Sequence, residues 1–116
     1  MNLEELFVHN KEQSIHGRYI TLNHIEPLLQ RLNTNNQLRV IGKSVLEKPI
    51  YEYQIGQGAT RIFLWSQMHG DESTTTKGMF DFINLLHSGS DLANQFLSHF
   101  TFCWIPMLNP DGAKLY

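Results

Sequence analysis

The spacing of apolar residues changes several times along the chain, and each change predicts an element. Residues 1–20 mix apolar and polar positions with weak periodicity, which predicts an N-terminal arm with one helical turn. Asn23 and Glu26 have capping-box spacing, and Ile25, Leu28, Leu29 and Leu32 then share one helical face. Pro27 is tolerable there if it sits in or near the first turn, and the run Asn33-Thr34-Asn35-Asn36 ends the helix. Leu38–Val45 and Ile50–Ile55 partly alternate, as in Tyr51, Tyr53 and Ile55 against Glu52 and Gln54, and predict an antiparallel hairpin with one wetter face.

Gly56-Gln57-Gly58 reads as a turn, and the continuous run Ile62-Phe63-Leu64-Trp65 as a strand covered on both faces. Met79, Phe82, Ile83 and Leu86 follow helical spacing; Ser88-Gly89-Ser90 closes that helix, and residues 91–97 form a short second one. Residues 100–105 are a further buried strand, followed by a loop of turn formers, Asn109-Pro110-Asp111-Gly112. Strands separated by a helix favour a parallel pair, so the expected fold class is α/β, a mixed sheet flanked by helices.

Composition narrows the function. At 116 residues the chain is one domain in size, and its 41% hydrophobic content is enough for a single core. The net charge of −2 comes from interspersed charges, with no polybasic run to bind nucleic acid. No apolar run approaches the roughly 20 residues that span a bilayer, so no membrane partner is expected. The acidic, polar N-terminus is unlike a signal peptide, which makes a cytoplasmic location the expectation. Cys103 is the single cysteine and sits in an apolar run, where an inert buried thiol is expected.

Two junctions could carry chemistry. Ser66-Gln67-Met68-His69-Gly70-Asp71-Glu72 follows a buried strand, where ligands gather in open α/β sheets. His69 offers an imidazole nitrogen and Glu72 a carboxylate oxygen, donors that zinc accepts in hydrolytic sites, and Gly70 lets the backbone turn between them. The bland alternative is that Asp71 and Glu72 only favour the helix N-terminus, with His69 a loop residue. Asn109-Pro110-Asp111-Gly112 is by itself an ordinary turn, but it lies at the same end of a neighbouring strand.

Together these junctions resemble the zinc carboxypeptidases, the metallocarboxypeptidase (M14-like) family. Gln67–Glu72 is similar to the family's zinc-binding turn, and Asn109–Gly112 to the loop after its next core strand. The resemblance covers residues 20 to 116 and implies the N-terminal part of a metallocarboxypeptidase-like fold, with 1–20 an arm and 21–116 a partial catalytic domain. It implies zinc as cofactor with His69 and Glu72 as ligands, and a peptide or small peptide-like substrate losing its C-terminal amino acid. It assigns no catalytic residue within the chain. The family's third zinc ligand, glutamate base, substrate-gripping arginines and capping tyrosine lie further along, and Tyr116 is not that tyrosine. The 116 residues alone are therefore expected to be inactive, to bind zinc weakly and to self-associate through an exposed sheet edge.

A peptidoglycan peptide is a further substrate within the peptidase branch. Two alternatives share the motif: an aspartoacylase/succinylglutamate desuccinylase-like amidohydrolase, and a non-catalytic binding module with a vestigial metal turn. The Asp-Gly pair favours the peptidase. The other histidines are expected at surfaces or caps, with His87 a cation at a helix C-terminus; Trp65 and Trp104 are expected in the core, and Lys77 in solvent.

Overall fold

The computed structural model describes residues 2–116. The chain runs α1 (Leu3–Asn10), α2 (Leu22–Leu32), β1 (Leu38–Lys43), β2 (Pro49–Gly56), β3 (Thr60–Trp65), α3 (Thr74–Leu86), α4 (Asp91–His99), β4 (Phe100–Ile105) and α5 (Pro110–Lys114). The sheet order is β1-β2-β4-β3, with β1/β2 and β2/β4 antiparallel and β3/β4 parallel. The mixed α/β class read from the sequence holds. No helix among the described residues is long and apolar enough to cross a membrane.

One face of the sheet carries the core. Tyr53, Phe102 and Trp104 point to the same side as Ile62 and Leu64, against Phe80, Ile83 and Leu86 of α3 and Ile25, Leu28, Leu29 and Leu32 of α2. Each large apolar side chain buried there contributes about 1.5–3 kcal/mol. Phe80 and Trp104 meet edge to face with centroids 5.0 Å apart. Phe80, absent from the predicted stripe, is fully buried, whereas Met79 and Phe82 are only partly so.

Several local expectations change. Residues 3–10 form a two-turn helix rather than one turn, opened by an Asn2–Glu5 capping box. Thr21, not Asn23, caps α2: its backbone N–H donates to His24 Nδ1 at 2.8 Å. Pro27 thereby falls at the sixth helical position, well inside the helix. The Ile62–Trp65 run belongs to an edge strand, because β3 stands last in the sheet order, and its second face is left open. Phe63 is 58% and Trp65 49% exposed, so Trp65 is not a core residue. Asn109–Gly112 is the capped start of α5 rather than a free loop.

Three side chains also find partners that the sequence did not reveal. Lys77 Nζ donates to the Gly17 carbonyl at 2.6 Å. His87, the exposed C-cap of α3, places Nε2 2.8 Å from the Tyr53 hydroxyl, and partial desolvation of the ring lowers its pKa, which works against the cationic form. Arg61 Nη2 lies 3.1 Å from the buried Cys103 sulfur, supplying in space the cation that is absent in sequence.

Candidate metal centre

The site is built where β3 and β4 end side by side. The parallel ladder continues past both strands: Ser66 N donates to Ile105 O at 3.0 Å, Leu108 N to Ser66 O at 3.0 Å, and Asn109 N to Gln67 O at 3.1 Å. The two junctions singled out in the sequence are therefore hydrogen-bonded to each other. Ser66 Oγ donates to Pro106 O at 2.7 Å and accepts from Trp104 Nε1 at 3.0 Å, anchoring the exit of β3 to the core.

From that base the turn swings out to solvent. Glu72 N donates to His69 O at 3.1 Å, which closes the turn and puts the two side chains on one side. His69 Nδ1 lies 3.0 Å from Glu72 Oε2, and the side chains are 63% and 69% exposed, open to an arriving ion. A carboxylate can only accept, so Nδ1 carries the shared proton, which a cation would replace. Asp71 turns away to Arg18 at 3.3 Å. Neither carboxylate accepts a hydrogen bond from the first amides of α3, so the helix-capping explanation has no hydrogen bond behind it.

The donor set fits zinc. Bonds of about 2.0–2.2 Å from one tetrahedral ion to a nitrogen and an oxygen put those atoms about 3.4 Å apart, so a small parting of the pair from its 3.0 Å hydrogen bond would admit the ion. Among the described residues no third His, Cys, Asp or Glu joins the pair to hold a metal. A cavity of 340 Å³ opens beside Glu72, lined by Trp65, Met68, Thr74 and Thr75. A larger cleft of 780 Å³, with Gln54, Gln57 and Asn94 in its wall, lies at the other end of the strands, away from both donors.

The Asn109–Gly112 segment is structural to this centre. Asn109 Oδ1 accepts from Gly112 N at 2.9 Å while its Nδ2 donates to Met68 O at 3.2 Å, one residue before His69. Asp111 accepts from Ser44 Oγ at 2.7 Å and Leu46 N at 3.1 Å, clamping the β1–β2 turn onto α5. Asn-Pro-Asp is a helix-start signal as much as a turn signal, and that reading would have located α5. Gln67, buried beneath the turn, opened the motif in the sequence, but nothing there assigned it a role.

Gly70 sits directly on α5. A Cβ there would lie 2.1 Å from the Gly112 carbonyl carbon and 2.2 Å from Ala113 N, both backbone atoms unable to give way locally. Gly70→Ala is expected to cost about 2–3 kcal/mol, as overpacking does, and to part the turn from α5. Urea unfolding measures this; an unchanged midpoint would show that the contact is not tight.

With this geometry in place, comparison with known proteins is decisive. The family model described as "Zinc carboxypeptidase" matches residues 22–116. The chain belongs to the zinc carboxypeptidase family. Among its relatives, the gamma-D-glutamyl-L-diamino acid endopeptidase 1 of Lysinibacillus sphaericus is 37% identical over 83 residues, 65% of this chain and 21% of that protein. The metallo-carboxypeptidase of Burkholderia cenocepacia superposes with a TM-score of 0.72 at 18% identity, over 79% of this chain and 27% of its own. The carboxypeptidase A of Helicoverpa armigera gives 0.69 at 17% identity, over 96% and 31%. The chain thus carries the zinc carboxypeptidase fold over about a fifth to a third of its relatives' length.

Proposed function

We propose that this segment supplies two of the three protein ligands, His69 Nδ1 and a Glu72 carboxylate oxygen, to the zinc of a metallocarboxypeptidase. The observation that carries the reading is the 3.0 Å approach of those atoms on an exposed turn past a parallel strand. When bound, zinc polarises a scissile carbonyl and lowers the pKa of water enough to supply a nucleophile near neutral pH. The chain's own part is to hold the two donors on a turn braced by Gln67 and Asn109. The third ligand and the base belong, on this reading, to further chain, and the 116 residues alone are inactive. The favoured substrate is a peptide that loses its C-terminal amino acid.

A second reading of the substrate is supported by the likeness to the endopeptidase described above. It takes the scissile bond to be a γ-D-glutamyl–L-diamino acid linkage of a cell-wall peptide. Assays of a longer polypeptide containing this segment separate the two. Chelator-sensitive release of a C-terminal amino acid from ordinary peptides supports the first reading, and selective cleavage of γ-D-glutamyl-L-lysine peptides the second. Cleavage of N-acyl amino acids alone would move the protein to the amidohydrolase branch. A zinc-bound polypeptide that cleaves none of these is a binding module.

The 116-residue chain is also expected to associate with itself. β3 ends the sheet with an unpaired edge, and Phe63 and Trp65 are exposed beside it. Sedimentation velocity across a concentration series should show growing dimer or higher species; a monomer throughout would contradict this.

A further inference from the structure

We propose that Gln67 is the positioning residue of the metal turn, acting by tying the turn at once to the N-terminal arm and to α3. The inference rests on the zinc reading above and extends it to a residue that binds no metal itself.

Gln67 is 3% exposed and holds φ at +55°, the left-handed region that non-glycine residues seldom occupy. Its side chain has every polar group engaged. Nε2 donates to Ile20 O at 2.6 Å and to Gly70 O at 3.1 Å, while Oε1 accepts from Thr76 Oγ1 at 2.7 Å. Thr76 is itself completely buried. Only this orientation of the carboxamide puts its donors on two carbonyls and its acceptor on a hydroxyl.

The bond to Gly70 O matters most, because that carbonyl belongs to the peptide midway between His69 and Glu72. Fixing it sets the direction in which both donor side chains leave the backbone. Ile20 O fixes the other end of the brace in the arm, whose neighbours reinforce it from outside: Ser73 Oγ donates to Arg18 O, Lys77 Nζ to Gly17 O, and Arg18 pairs with Asp71. The arm is thus part of the scaffold of the metal turn. The exposed Arg18–Asp71 pair adds little in water. A buried amide with three partners has no solvent to fall back on, and losing it frees the turn.

The competing explanation is a satisfied core amide that holds the fold and nothing more. Three variants of the 116-residue chain decide between them: Gln67→Met, which removes the whole brace; Thr76→Val, which removes one donor to it; and Thr76→Ser, which keeps that donor. Zinc affinity by calorimetry, hydrogen exchange of the Glu72 amide, and the thermal midpoint are read for each. Gln67→Met and Thr76→Val should bind zinc about tenfold more weakly, the low end of the range for residues that orient metal ligands, and should exchange the Glu72 amide faster. Thr76→Ser should match wild type in both. Should Gln67→Met fail to fold, the Thr76 pair still gives the comparison. Equal zinc affinity in wild type, Gln67→Met and Thr76→Val overturns the positioning role and leaves the zinc reading standing. A wild type that takes no zinc overturns both.

Discussion

Replacing His69 or Glu72 with alanine is expected to weaken zinc binding by at least about a hundredfold, more than the ~10–100-fold lost when a residue that merely orients a ligand is changed. The reason is the donor count. Catalytic zinc sites draw three ligands from the protein, and a site that starts from two donors and loses one has little left to distinguish it from a lone surface side chain. Because both side chains are more than 60% exposed and accept nothing from the backbone of α3, their loss should leave the fold intact. The thermal midpoint should move by no more than a surface substitution moves it, about 0.5 kcal/mol in stability. Equilibrium dialysis against zinc, with a thermal melt as control, separates the ligand role from a structural one. Unaltered zinc uptake in both variants would remove these residues from the site.

The second large effect lies in the arm. Glu12 is 6% exposed and accepts from Arg31 Nη2 at 2.5 Å, Ser14 Oγ at 2.7 Å and Asn84 Nδ2 at 3.2 Å, while its own N–H donates to Asp81 at 2.7 Å. These bonds fasten the arm to α2 and α3 together. Burial pushes the Glu12 carboxyl up, but the hydrogen bonds from Arg31, Ser14 and Asn84 and the charge of Arg31 outweigh it and hold the pKa at about 2. A folded pKa below the unfolded 4.5 means stability that is fully present above pH 4.5 and lost as pH falls towards 2. The lost amount is about 3 kcal/mol. Asp81 works the other way: burial raises its pKa, so its protonation relieves a cost and offsets part of the loss. Glu12→Ala should destabilise the chain by about 3 kcal/mol at neutral pH, the low end for breaking a buried pair, because the half-exposed Arg31 can return to water. Its stability should then fall less than that of wild type between pH 4.5 and 2. Parallel pH profiles for the two proteins would show that Glu12 is not the group responsible.

Periodicity made α2, the β1–β2 hairpin and β4 legible, because each buries one regular set of side chains. The same rule misread β3. An apolar run such as Ile62-Phe63-Leu64-Trp65 records that both faces are apolar, not that both are covered, and here Phe63 and Trp65 face outward. The arm was opaque for the opposite reason: Ile15 and Ile20 are isolated apolar residues, and Glu12 is a charge that becomes buried only through partners far along the chain. At the site, spacing and position alone left His69 and Glu72 open to a helix-start reading, and it was the resemblance of their turn, paired with Asn109–Gly112, to a known zinc-binding turn that singled them out. Gln67 stood in the same turn, but its bracing was not legible because a buried amide leaves no pattern in sequence; its contacts exist only once Ile20, Gly70 and Thr76 are brought around it.

The central claim is that zinc is held through His69 Nδ1 and not by another of the six histidines. Titration of zinc into the 15N-labelled chain, followed by long-range 1H–15N correlation of the imidazole rings, tests it directly. The account predicts a large shift of His69 Nδ1 alone, removed by Glu72→Ala. Zinc-dependent shifts at other histidines with His69 unmoved would contradict it.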